Sequence, residues 1–535
     1  MSCLIHTKKY VLGALLLGTA ALGYAQTPRS ADATAREYAA TITAGELSKH
    51  LHIIAADSMQ GRDTGSEGQK MAADYIASQF FDANVKPVIK FPDGVEGYYQ
   101  EFELVKKMPA VAFLETGTQR RESPRDFLAQ GIHRAVPATT TEVVFAGYGI
   151  ESERYSDYAG LDVKGKAVLI FAGEPVSKRG TSLVTGTTSP SEWTTATGKK
   201  AELARRKGAQ GVFIFYPDQS PEQFSQSLQT SWQGPSIKLK YKADAQQNAP
   251  VFTVGRELAA EIMGVSEKTL LKQRRRIARR KKPARLPNAT VTWSAQVNEE
   301  TVSSENVIGL VPGTDKKDEY IVISAHYDHV GVQNGQVYNG ADDDGSGTVA
   351  ILEIAQAFAR ARSDGFGPRR SILFMTVAGE EKGLLGSEFY TAHPVFPLQN
   401  TVANLNIDMI GRLDEAHQGN PDYVYLIGSD KLSSELHAIS EEANRRHTNL
   451  QLDYKYNDPA DPNRFYYRSD HYNFAKHKIP VIFYFNGTHA DYHQPTDDVE
   501  KIDFNKIEKI ARLVFFTAWD VANREQRIKV DSFKQ

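Results

Sequence analysis

Five short stretches in the C-terminal half hold residue types that do chemistry. They are His326-Tyr327-Asp328, Asp342-Asp343-Asp344-Gly345-Ser346-Gly347, Glu380-Glu381, Asp408 and Tyr492-His493. Together they supply two histidines and several carboxylates, most of them just after a predicted strand. Nitrogen and oxygen donors of this kind hold divalent zinc. The set is large enough for a pair of zinc ions, with one carboxylate left over as a base. The chemistry it predicts is metal-assisted hydrolysis.

Each stretch has its own physical logic. His326 and Asp328 follow Ile321-Val322-Ile323-Ser324-Ala325, a strand pattern. Residues two apart in an extended chain face the same side. Asp328 can therefore accept the second ring N–H of His326 and leave the other nitrogen for metal. The adjacent carboxylates of Asp342, Asp343 and Asp344 repel one another, so a folded site needs a cation to hold them. The glycines at 340, 345 and 347 permit an unusual backbone and open the next helix. A calcium-binding loop is the rival reading of this acidic run. Glu380 and Glu381 follow a strand at 371–377 and face opposite ways. One can bind metal while the other faces the attacking water as general base. Asp408, set among Ile407, Met409 and Ile410, needs a partner if buried. His493 comes soon after a strand at 480–485.

Three further histidines, His329, His471 and His489, lie near these segments and are read as neighbours of the ligands, with His489 as the reserve for His493. Two look-alikes fail. Gly160 to Lys166 mimics a phosphate loop, but Ala167 stands where Ser or Thr belongs and a strand follows instead of preceding. Ser469-Asp470-His471 has triad residue types, yet triads assemble in space, not as consecutive residues.

The elements that must position these groups follow from periodicity. Segments at 320–325, 371–377, 402–407 and 480–485 read as strands, and 347–361 as a helix with an apolar face. This predicts an α/β fold with a mostly parallel central sheet flanked by helices. Residues 126–290 differ: short β-rich runs at 142–146, 167–171 and 211–216, a helix at 200–207, and no cluster of metal ligands. They read as an inserted small β-rich α/β domain between an N-terminal catalytic part (26–125) and the main catalytic domain (291–535). The basic run Lys272 to Lys282 at its end reads as a solvated helix face leading to a linker at Pro283 and Pro287.

The 535 residues carry a formal charge of −2, which argues against a nucleic-acid partner. Lys8 and Lys9, an apolar run from Tyr10 to Leu22, then Gly23 and Ala25 read as a signal peptide, cleaved after Ala25. That run is too short to leave a membrane anchor. Cys3, the only cysteine, falls inside it. The mature chain would hold neither disulfides nor thiolate metal sites, which suits a secreted or periplasmic protein.

The motifs AHYDHVG, GADDDGSG, AGEEKGLLGS, NLNIDMIGR and DYHQPTDD resemble the dinuclear zinc exopeptidase family of bacterial leucyl aminopeptidase and aminopeptidase Y, with glutamate carboxypeptidase and transferrin receptor as relatives. The resemblance covers about 300–525, and the early GRDTGSEG loop matches too. EVVFAGYGI, GKAVLIF and RRKGAQGVFIFY resemble a protease-associated domain. The resemblance implies two Zn2+ per chain, one held by His326 and Asp408, the other by Glu381 and His493, with Asp343 bridging. It implies Glu380 as general base, Tyr492 as hydrogen-bond donor to the tetrahedral intermediate, Asp328 as the orienter of His326, and a strained peptide bond before Asp344. Peptides are then the substrates and aminopeptidase the leading activity. A carboxypeptidase or dipeptidase on the same site, or a non-catalytic binding homologue, are the alternatives.

Overall fold

A computed structural model describes residues 31–132, 134–230, 235–243, 250–281 and 285–533. The expected signal peptide and Cys3 lie outside these residues, as do Lys282 and Pro283. No helix among the described residues is long and apolar enough to cross a membrane.

Two large sheets and two small two-stranded ones are formed by the described residues. In the larger one, the strands Arg370–Val377, Lys316–His326, Thr401–Ile407 and Val481–Phe485 lie side by side and parallel. Residues 371–377, 320–326, 401–407 and 481–485 are buried throughout, the mark of a sheet covered on both faces. Parallel neighbours need a crossover. The helix Gly347–Ser363 supplies one, between Lys316–His326 and Arg370–Val377. It packs with the C-terminal helix Phe504–Asn523 on the main core. The expected parallel sheet is therefore its centre. On one side Glu299–Val311, Tyr99–Lys107 and Ser236–Leu239 continue it antiparallel, and on the other side Tyr423–Ile427 pairs antiparallel with Val481–Phe485.

The second sheet orders its strands Gln119–Glu122, Val111–Thr116, Ala289–Gln296, Val136–Phe145, Ala167–Phe171, Gly211–Phe215, Val251–Val254 and Phe127–Gln130. It has its own core, from Ala112 to Ala295. Its strands all fall between Lys107, where the chain leaves the larger sheet, and Glu299, where it rejoins it after a single earlier return. It starts at Val111, before the expected boundary of 126, because the strands at 111–130 carry little apolar alternation. One excursion, Ser236–Leu239, returns to pair with Tyr99–Lys107. The basic run forms the helix Glu267–Arg280, which buries Leu270, Gln273 and Ile277 and turns most of its cations outward.

Candidate metal centre and active site

Four adjacent parallel strands end at the same edge, and each delivers a polar group there. His326 closes its own strand. Glu380 and Glu381 follow Arg370–Val377, Asp408 directly follows Thr401–Ile407, and Tyr492 and His493 lie in the loop after Val481–Phe485. Carboxyl ends of such strands are where open α/β sheets hold ligands. The aspartate run stands between a strand end and the helix Gly347–Ser363. Asp343 (φ −100°, ψ 101°) and Asp344 leave helical geometry, and their peptide bond is cis. Gly347 is obligatory there: a Cβ would stand 2.5 Å from both Asp344 carboxylate oxygens.

All five expected ligands and the expected base converge. Asp343 Oδ1 lies 3.3 Å from His326 Nε2, and Asp343 Oδ2 lies 3.0 Å from His493 Nε2. His326 Nε2 is also 3.6 Å from Asp408 Oδ1, and His493 Nε2 is 3.1 Å from Glu381 Oε2. Glu380 Oε2 stands 4.0 Å from His326 Nε2. His329 joins the second half, with Nδ1 2.9 Å from Glu381 Oε1. Two groups, His326–Asp344–Asp408 and His329–Asp343–Glu381, bring ligand atoms within 4.8 Å of one another. Asp344 Oδ1 already accepts the N–H groups of Gly347 (2.8 Å) and Met409 (3.0 Å), which ties it to the backbone. Asp343 is the residue that reaches both halves. His489 pairs instead with Asp342, at 3.2 Å.

Asp328 acts differently from the expectation. His326 Nδ1 donates to the main-chain carbonyl of Asp328 at 3.0 Å, while the nearest carboxylate oxygen is 3.8 Å away. The chain turns after the strand end, so the main chain takes the place expected for the side chain. The carboxylate accepts from Thr64 Oγ1 (2.7 Å) and from the Glu380 N–H (3.2 Å), so it holds the backbone of Glu380.

Several supporting residues were not legible from spacing. Arg62 is fully buried and donates to the carbonyls of Ile54, Tyr327, Asn339 and Gly340 at 2.7–3.0 Å. Asp63 pairs with Lys382 at 2.7 Å. Residues 62–64 thus hold the 326–329, 339–344 and 380–382 segments together, which explains why the glycine-punctuated loop accompanies the C-terminal motifs. Ser469 Oγ donates to Asp408 Oδ2 (2.6 Å) and accepts from Asn406 Nδ2 (2.8 Å). In Ser469-Asp470-His471, then, the serine holds the Asp408 carboxylate, and His471 is buried against Phe483.

The electrostatics fit a cation. At the site, buried oxygens of Asp343, Asp344 and Glu381 and ring nitrogens of His329 and His493 face one another without a well-formed hydrogen bond. Orphaned buried donor atoms with lone pairs converging on one place are costly unless a metal takes them. Burial pushes Glu380 well above the usual carboxylate range; the His326 charge opposes this, and Glu381, Asp408 and Asp470 add to it. Burial would lower His493, but the carboxylates of Asp343 and Glu381 beside its ring push it up to about 10. Protons here stand where a cation would sit. With His and carboxylate donors and no thiol, the residues present suit zinc.

The cleft above this cluster is lined by His326, Glu380, Met409, Phe465, Phe483 and Phe485, with Arg468 and Tyr492 at its side.

Fold and site together define an α/β protein with a candidate metal centre, and comparison with known proteins narrows the class. Residues 306–518 match the model of Peptidase family M28. A probable zinc metalloprotease of Pyricularia oryzae is 27% identical over 268 residues, 43% of this chain and 52% of that protein. Aminopeptidase YwaD of Bacillus subtilis is 26% identical over 260 residues, 45% of this chain and 49% of that protein. The chain thus spans about half the length of these curated relatives. An aminopeptidase from Aneurinibacillus sp. strain AM-1 shares the fold, with TM-score 0.53 and 18% identity, covering 93% of this chain and 97% of that one.

Proposed function

We propose that this chain is a secreted zinc-dependent aminopeptidase that removes N-terminal residues from peptides and holds two zinc ions. The observation that carries this is the placement of Asp343, one oxygen beside His326 and the other beside His493. His326 and Asp408 would hold one ion, Glu381 and His493 the other, and Asp343 both. Zinc, when bound, supplies Lewis acidity toward the attacking water and the scissile carbonyl.

The remaining steps belong to the chain's own side chains. Glu380 takes a proton from water as the water oxygen bonds to the carbonyl carbon. Burial raises its affinity for that proton. The Tyr492 hydroxyl donates to the carbonyl oxygen as it gains charge. When the C–N bond breaks, Glu380 passes the proton to the leaving nitrogen. Asp328, through the Glu380 N–H, keeps the base in register. Met409, Phe465, Phe483 and Phe485 offer an apolar pocket for the first side chain, which favours leucine- or phenylalanine-like residues. The inserted unit is read as a protease-associated domain, and the apolar run before Ala25 as its export signal.

The test is a panel of aminoacyl anilides and peptides blocked at either end, assayed before and after chelation. Activity on free amino ends, abolished by chelation and restored by zinc, supports the proposal. Hydrolysis confined to free carboxyl ends would make the chain a carboxypeptidase, and none at all a binding protein.

A further inference from the structure

Among the described residues lining the cleft, Arg468 carries the one permanent positive charge, and no step above uses it. Its Nη2 donates to the Tyr492 hydroxyl oxygen at 3.2 Å. Its guanidinium carbon lies 5.0 Å from the centre of the Phe465 ring. It forms no ion pair with a carboxylate among the described residues, so its charge is not cancelled locally. Its backbone is well anchored: Phe465 begins the turn before it and is a wall of the cleft, and Ser469, next in sequence, donates to Asp408.

This geometry has a direct chemical consequence. The tyrosine oxygen accepts from the guanidinium at the wall of the cleft. Its own O–H proton is then free to point inward. A hydroxyl that accepts from a cation is polarised and becomes a stronger donor. The charge also lies one hydrogen bond from the place where negative charge develops on the substrate oxygen. Such an interaction strengthens between ground state and transition state and therefore acts on kcat more than on KM.

We propose that Arg468 is a positioning residue, which aims and polarises the Tyr492 hydroxyl toward the scissile carbonyl oxygen. The proposal deepens the functional reading above and rests on Tyr492 being the donor to that oxygen. Arg468 acts through the tyrosine and needs no contact with the substrate. It predicts that the two side chains function as one unit.

The experiment is a double-mutant cycle of Arg468→Ala and Tyr492→Phe, with Arg468→Lys alongside, on a leucyl anilide. Zinc content and circular dichroism are recorded for every variant. Arg468→Ala is expected to lower kcat about 10- to 100-fold, somewhat less than loss of a direct oxyanion donor, with KM within about threefold. In the Tyr492→Phe background it should cause no further loss, and Arg468→Lys should recover part of the rate. A second readout is binding. A leucine phosphonate, which presents an anionic oxygen in tetrahedral geometry, should lose about tenfold in affinity in Arg468→Ala, while free leucine should not. An undiminished loss in the Tyr492→Phe background would overturn the proposal and leave the tyrosine's role standing, because independent sites add. A change in KM alone would also overturn it and make Arg468 a substrate-binding cation. If Tyr492→Phe itself keeps full kcat, the donor role fails, and the proposal with it.

Discussion

Asp497 accepts the main-chain N–H of Asp343 through Oδ2 at 3.2 Å. The same carboxylate accepts the Asp342 N–H, and its own carbonyl accepts the Ala341 N–H. Asp497 lies four residues after His493 and is fully buried. It therefore stitches Asp343 to the loop that carries His493. Partners of this kind typically set 10- to 100-fold in metal affinity. Asp497→Ala should weaken zinc retention by about that factor, measured by dialysis against graded chelator. Asp497→Asn, which keeps one carbonyl acceptor, should retain more metal than the alanine variant.

Arg62 tests the clamp from the N-terminal side. Its fork reaches four carbonyls from three segments, and lysine, a single point charge, cannot span them. Leaving buried carbonyls unsatisfied costs about 1–3 kcal/mol each. Both Arg62→Ala and Arg62→Lys should lower the urea midpoint, with a cost of at least about 2 kcal/mol. An unchanged midpoint in both would show that water replaces the guanidinium freely.

The cleft wall predicts selectivity. Phe465 packs against Tyr456 and Phe485 at ring-centre distances of 4.7 and 5.0 Å. Phe465→Leu keeps the wall apolar but less flat. Discrimination in such pockets is worth about 1–3 kcal/mol per methylene-sized change. The variant should shift kcat/KM between phenylalanyl and leucyl anilides by about 10-fold and leave the alanyl substrate within about twofold.

His471 gives the pH dependence of stability. Burial lowers its pKa from 6.5 to about 3. Between those values the unfolded chain holds a proton on this ring that the folded chain does not. Stability should therefore fall as pH drops below about 6.5, by at most about 1.4 kcal/mol per pH unit from this group. His471→Phe, an aromatic of similar size facing Phe483 and Tyr466, should flatten the urea midpoint between pH 6.5 and 4. A slope equal to that of the parent would remove His471 from the explanation.

The central strands and the chemistry at their ends were legible because both are local signals. Apolar runs mark buried strands, and His326, Glu380, Glu381 and Asp408 sit within a few residues of those runs. The second sheet's early strands at 111–130 were not legible, since their residues alternate poorly and pair with partners as distant as Ala289–Gln296. Arg62 and Asp497 escaped for a related reason: most of the carbonyls and N–H groups they hold are more than 150 residues away. Asp328 shows the limit of strand-face reasoning, because the chain turns just where the alternation rule was applied.

The most direct measurement is the zinc content of the folded chain after dialysis, for the parent and for Asp343→Asn. Two zinc ions per parent chain, falling to one or fewer when Asp343 loses its charge, is the predicted result. A parent that retains no zinc, or an Asp343→Asn chain that retains two as tightly as the parent, would contradict a centre built around that carboxylate.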